Sequence, residues 1–269
     1  MTSDKPEPLY GDAPDQIPLP NAPLEIVLAQ VRYPKILAIS QAEKIIGFQE
    51  AIRDEYPNFT TDHIQQISIS EDQGSTSPLE KIWRFSSMDN SWRVSLSTNF
   101  VALETSKYES RQDFCGRFSK IISSFESTFK PKIIQRVGVR YIDRIRSPEK
   151  NEIQDMIKRD ILGVYLTEFG KNAEYSLTNV VSKVEEGTLQ ARWGHLPANA
   201  TFDPAALKPI DVESWIMDLD VFSQMNTAFS SEDCVNRVRA YATRAYAVFR
   251  WMIEDKFIEI YGGEVDGKS

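Results

Sequence analysis

Histidine and cysteine are scarce in this chain of 269 residues, with two of each, and that scarcity thins the chemistry open to it. Cys115 and Cys234 lie far apart and lack metal-ligand spacing, so no zinc site is expected. They read as buried thiols in a reducing cytoplasm. His63 opens a strand and is expected on the surface. His195 follows a strand end beside Gly194, a usual place for functional side chains. No Ser or Cys sits in an elbow that would present a nucleophile. No glycine loop could cradle a phosphate, and no dinucleotide fingerprint is found. No apolar run approaches the roughly 18 residues that span a bilayer. The opening Met-Thr-Ser-Asp-Lys-Pro-Glu-Pro has no apolar core of a secretory signal. The expectation is a cytoplasmic protein without membrane segment or cofactor, with no catalytic residue assigned.

What is present is globular. Hydrophobic residues make up 41% of the chain, enough for a substantial core. Acidic residues outnumber basic ones 39 to 31, for a net charge of −8 and a pI near 5.0. That argues against non-specific duplex binding, which needs a basic surface, and leaves room only for a local basic groove. Aromatics are not interleaved with basic residues as single-strand binding would need.

Six of the 14 prolines fall within residues 1–23, which read as an extended arm, either a flexible lead-in or a segment lying on the domain or a partner. Leu24 to Tyr33 reads as a strand buried on both faces. Ser40 to Tyr56 reads as a helix, with Ser40 and Glu43 as a capping box and Ile45, Phe48 and Ile52 as its apolar stripe. Strands follow at Ile64 to Ser70, Lys81 to Ser86, Trp92 to Leu96 and Phe100 to Thr105, in the rhythm of an antiparallel meander. Ser110 to Phe129 is the clearest helix, capped by Ser110 and Asp113 and striped by Phe114, Phe118, Ile121, Ile122, Phe125 and Phe129. Asn151 to Leu162 reads as a short surface helix. Tyr175 to Val184 and Thr188 to Trp193 form a strand pair, and residues 194–211 a connection. Ser214 to Phe222 is a strand, and Ser231 to Ile258 a long helix. The fold class is α+β: a largely antiparallel sheet with long amphipathic helices packed on one face. The order also fits two half-repeats, about 24–146 and 147–261, within one globular domain over 24–261. Residues 262–269 read as a flexible tail.

The stretch on which this architecture turns is Ile133 to Ile145. Side chains alternate along a strand, so Val137, Val139, Tyr141 and Ile145 share one face. Arg136, Arg140 and Arg144 share the other, as a comb with teeth roughly 13 Å apart. Two readings stay open. Three guanidinium forks on a rigid strand can bind phosphates or carboxylates bidentately. Equally, each can pair with an acidic side chain of a neighbouring element. Asp218 and Asp220 share one face of their strand about 6.6 Å apart. They could hold a divalent cation, form a solvated face, or partner the arginines.

Pro23-Leu24-Glu25-Ile26 leads to Arg32-Tyr33, Leu103-Glu104-Thr105 and Tyr108 precede the second helix, and Arg136-Val137-Gly138-Val139-Arg140-Tyr141-Ile142-Asp143-Arg144-Ile145 follows. With these motifs the chain resembles a sporadically distributed, uncharacterised family of prokaryotic proteins of similar length. Its members show a Pro-Leu-x-Glu start and a central Arg-x-Gly-x-Arg-Tyr-Ile-Asn-Arg-Ile motif. Asp143 stands where that family more often has Asn. The resemblance covers nearly the whole chain and implies no known activity; the patchy distribution implies association with defence or mobile loci.

Two functions follow as expectations. The first is a non-catalytic interaction or regulatory subunit with a protein partner, or forming a homo-oligomer. The second is a nucleotide, phosphate or nucleic-acid binder using Arg136, Arg140 and Arg144, with Arg32 and His195 as further ligand-binding candidates and Asp218 and Asp220 as metal candidates. The acidic pI disfavours the nucleic-acid form of it.

Overall fold

The structure, a computed structural model, describes residues 7–64, 80–147 and 150–264. Its strands are β1 (Leu24–Arg32), β2 (Asn58–Ile64), β3 (Glu80–Ser86), β4 (Trp92–Leu96), β5 (Phe100–Thr105), β6 (Ile133–Arg146), β7 (Ser176–Val184), β8 (Gly187–Leu196) and β9 (Ser214–Ala228). Its α-helices are α1 (Ala42–Ile52), α2 (Arg111–Phe129), α3 (Lys150–Met156), α4 (Arg159–Leu162), α5 (Glu168–Lys171), α6 (Ser231–Met252) and α7 (Asp255–Ile260). The class is α+β. The strands form one antiparallel sheet in the order β2-β3-β4-β5-β1-β6-β9-β8-β7. The arginine-bearing strand β6 is therefore extended and interior, as its sequence predicts. Contacts divide the chain into two compact units. One comprises residues 28–138 and 224–239, the other residues 1–27, 139–223 and 240–269.

In the first unit the core is aromatic. Helix α2 begins where Ser110 Oγ accepts a hydrogen bond from the Asp113 amide at 3.1 Å. It ends at Lys130, whose φ of 48° is left-handed, one residue before Pro131, which cannot continue a helix. It buries Phe114, Phe118, Ile121, Ile122 and Phe125 of the expected stripe, with Cys115 beside them, while Phe129 is half-buried. Tyr33 at the end of β1 packs on Phe125 at 4.8 Å between ring centroids, and its hydroxyl donates to the Ser97 carbonyl. Each fully buried ring contributes roughly 1.5–3 kcal/mol.

Helix α1 buries Ile45, Phe48 and Ile52, as its spacing predicts, but the Ser40–Glu43 capping box does not form. Ser40 closes a 3₁₀ turn instead and donates to the Leu37 carbonyl. Strand β2 is a strand the sequence reading did not place, and it pairs with β3 along its whole length. Beyond Ile64, the strand expected over Ile64 to Ser70 lies outside the described residues.

Helix α6 opens on the same device as α2. Ser230 Oγ accepts from the Asp233 amide, and Asp233 then holds Arg237 one turn on, just as Asp113 holds Arg117. Both are local pairs of modest energy.

In the second unit the proline-rich arm is docked. Arg244 of α6 is 4% exposed. It grips the Glu186 carboxylate through Nε and Nη2, and its Nη1 donates to the carbonyls of Pro8 and Gly11. Tyr246 accepts from the Ile17 amide and donates to the Asp15 carbonyl. The Asn21 amide donates to the Tyr261 carbonyl.

The long helix expected from Ser231 to Ile258 is broken at Ile253, which forms an isolated antiparallel bridge with Ile157. Lys158 donates to the Met252 carbonyl and Glu254 to the Met156 carbonyl. The same bridge divides the expected Asn151 to Leu162 helix into α3 and α4. The backbone hydrogen bonds given up by the helices are replaced between the segments, so the break is not left unsatisfied.

Candidate functional site

Strands β6, β8 and β9 carry the candidate residues except Arg32, which ends β1. Registers place Ile216 opposite Gly194, and Gly194 opposite Leu177. Directly opposed residues share a face. With Ile142 and Leu196 these side chains form a small apolar cluster, closed over by Leu207, Phe202 and Ala206 of the connection before β9. Gly194 is required there. Its φ is +145°, and a Cβ would collide with the Ser176 carbonyl oxygen, so only glycine lets β7 and β8 approach.

Beside that cluster the arginine comb is resolved tooth by tooth. Arg140 lays Nε on Asp218 Oδ1 at 2.7 Å and Nη2 on Asp218 Oδ2 at 2.9 Å. Its Nη1 donates to Asp203 Oδ2 at 2.7 Å. Every edge of the guanidinium thus meets a carboxylate, the bidentate geometry this group favours. The Asp218 side chain is 3% exposed. Arg192 of β8, opposite Asp218 in the register, approaches its second oxygen at 3.5 Å while lying over the Phe202 ring. Burial alone would lower the pKa of Arg140, but the bonds from Asp218 and Asp203 outweigh it and raise it. Burial would raise that of Asp203; the Arg140 bond, with the amides of Ala206 and Ala205, holds it below the ordinary value.

Arg144 is different. It is 2% exposed, and its Nη1 donates to the Lys208 carbonyl at 2.9 Å. Its Nε and Nη2, both buried, meet no acceptor. These two nitrogens form the same edge with which Arg140 grips Asp218. Burial lowers the pKa of Arg144, Glu25 opposes that and Arg146 adds to it. Glu25 itself is bonded to Arg146 at 2.6 Å.

The remaining candidates are not gathered here. His195 lies within β8 rather than beyond its end, and its Nε2 meets Glu213 Oε2 at 3.0 Å. It shares its face with Trp215, its opposite neighbour, beside Tyr165. Arg136 is half-buried and engaged; it belongs to the other unit, as does Arg32, which is exposed and donates to Gln30. Asp220 is also engaged. Both oxygens of Asp218 are taken by Arg140, and no group of three His, Cys, Asp or Glu among the described residues is placed to hold a metal ion.

Asp203, Glu213 and Lys208 escaped the sequence reading because they stand in an irregular connection without periodicity. The one signal available was Asp203-Pro204, a turn-forming pair. Asp143 is 6% exposed, and burial pushes its carboxyl up to about 7.

Chemically, the arrangement holds charge in place. Asp218 and Asp203 neutralise Arg140, and the Arg144 edge is left without an acceptor. No helix of the described residues is long and apolar enough to cross a membrane. No protein-family model and no curated protein matches the chain.

Proposed function

We propose that the chain is a non-catalytic interaction or regulatory subunit of a larger bacterial assembly, working in the cytoplasm. One observation carries this reading. Five of the eleven exposed large apolar side chains among the described residues fall in one stretch of the second unit, at Val164, Phe169, Tyr175, Val180 and Val181, with Phe169 83% exposed. Apolar surface of this kind marks contact sites more often than chemistry. The closure of Arg140 by two carboxylates supports the same view, since it removes the most prominent cation from service.

The test is affinity purification of the tagged chain from its native locus. A protein encoded beside it should co-purify, and the Phe169→Ser, Val181→Ser double variant should lose that partner with an unchanged melting temperature. A wild-type chain that purifies without any neighbour-encoded protein overturns the reading.

The half-repeat plan, the one-sided helix layer and the likeness to defence-associated prokaryotic proteins belong to this proposal. The matching Ser-x-x-Asp-x-x-x-Arg openings of α2 and α6 support the first of them.

A second reading rests on Arg144. A buried guanidinium edge without an acceptor is costly, and a phosphate or carboxylate would complete it. On that reading inorganic phosphate or a nucleotide raises the melting temperature of the wild type, and the rise disappears in Arg144→Met. No shift with either probe removes the reading.

A further inference from the structure

The second unit ends at a sheet edge, strand β7, whose outer rim has no neighbour in the strand order. Proteins usually blunt such edges with a mid-strand charge, a proline or a bulge. Strand β7 has none of these. It pairs with β8 in an unbroken register from Ser176 to Val184. Its only charged residue is Lys183, near one end. Residues Thr178 to Val181 are all exposed, Val181 by 62%. The opposite edge of the sheet, β2, carries Asp62 in its interior, held by Arg84.

We propose that β7 pairs with β7 of a second copy of this chain, antiparallel and centred on Asn179. The inference rests on the interaction-subunit reading and gives it a first occupant. Symmetry limits the register to centres on one residue, and side-chain complementarity selects Asn179 among them. A two-fold axis perpendicular to the sheet can join only residues on the same face. Centring on Asn179 meets that condition and makes the edge complementary to itself. Leu177 stands opposite Val181, and Thr178 opposite Val180, twice each. Lys183 stands opposite Tyr175, where an ammonium over a phenol ring is favourable. The two Lys183 residues fall at opposite ends, roughly 26 Å apart at 3.3 Å per residue, well beyond the distance over which exposed like charges repel at physiological salt. A main-chain ladder supplies the hydrogen bonds and the side chains supply the register.

The experiment uses the full chain. Sedimentation equilibrium should give twice the 30.7 kDa chain mass. Asn179→Lys and Asn179→Asp each place like charges face to face on the axis and should be monomeric; because Asn179 Oδ1 also accepts from Gln190 and Arg192, circular dichroism matching the wild type shows that the monomers are folded. Mixing the two should restore the dimer. Cys115 and Cys234 are both buried, so Asn179→Cys introduces an exposed thiol. Cα atoms directly opposed across an antiparallel pair lie about 4.5–5.5 Å apart, within disulfide range. That variant should cross-link under mild oxidation at least tenfold faster than the exposed control Phe169→Cys. A monomeric wild type at tens of micromolar overturns the proposal, even if the chain still captures its neighbour-encoded partner, in which case the interaction reading stands without it. A dimer that survives both Asn179→Lys and Asn179→Asp overturns it as well.

Discussion

Asp218→Asn should destabilise the fold by about 3–5 kcal/mol, the usual cost of stranding one member of a buried ion pair. The substitution changes almost no volume, so the loss is electrostatic and geometric. An asparagine oxygen can still accept from one nitrogen of Arg140, but its amide nitrogen then faces the other, donor against donor, where Asp218 Oδ2 now stands. Arg140 is left with Asp203, which is a quarter exposed and engages only Nη1. The double variant Arg140→Met, Asp218→Leu should recover most of the loss, because two apolar side chains beside the Ile142, Leu196 and Ile216 cluster need no partner. Urea unfolding of the wild type, Arg140→Met, Asp218→Leu and the double variant completes the cycle. A cost below about 1 kcal/mol for Asp218→Asn, in the range of exposed pairs, would show that the bidentate contact does not hold Arg140.

The second large effect depends on pH. Burial raises the Asp143 carboxyl from 3.8 to about 7. Between those values the folded chain keeps a proton that the unfolded chain gives up, so this group makes stability fall as pH rises. Below the window both states hold the proton, and above it neither does, so the full cost persists. At 1.36 kcal/mol per pKa unit the difference amounts to about 4 kcal/mol. Asp143→Asn should therefore match the wild type near pH 4 and exceed it by up to that amount at pH 8. The measurement is the difference in unfolding free energy between the two proteins across the range, which cancels every other titrating group. A difference that stays flat with pH would mean that Asp143 is ionised in the folded protein. The variant thus asks whether the aspartate costs this chain stability.

The sequence was most legible where a single period ran unbroken. Strand β6 and helix α2 were placed within a residue or two, because alternation and the 3.6-residue stripe persist over their lengths and Ser110 and Pro131 mark the ends of α2. Reading failed where tertiary contacts override local preference. Ser40 has the pattern of a cap, yet its hydroxyl finds the Leu37 carbonyl first. The apolar stripe continues through Ile253, so nothing local announces that Ile157 will claim its backbone. At the site, the comb and Asp218 were both visible, and their pairing was one of the open alternatives. The choice between an open comb and an internally paired one depended on Asp203 and Lys208, which lie in a connection with no pattern to read. The unpartnered edge of Arg144 is a property of packing and has no signature in sequence.

The docking of the arm on Arg244 and Tyr246 has a bearing on biosynthesis. Those contacts join residues 229 to 236 positions apart, so the arm leaves the ribosome long before the helix on which it settles. Strand β1 shares the delay, since β6, one of its two sheet neighbours, is made only after four further strands and two helices. Contacts of such long range are closed late and slowly. Until then the nascent arm is undocked and open to chaperones and to misassembly, and a translational pause before α6 would lengthen that exposure more than a pause after it.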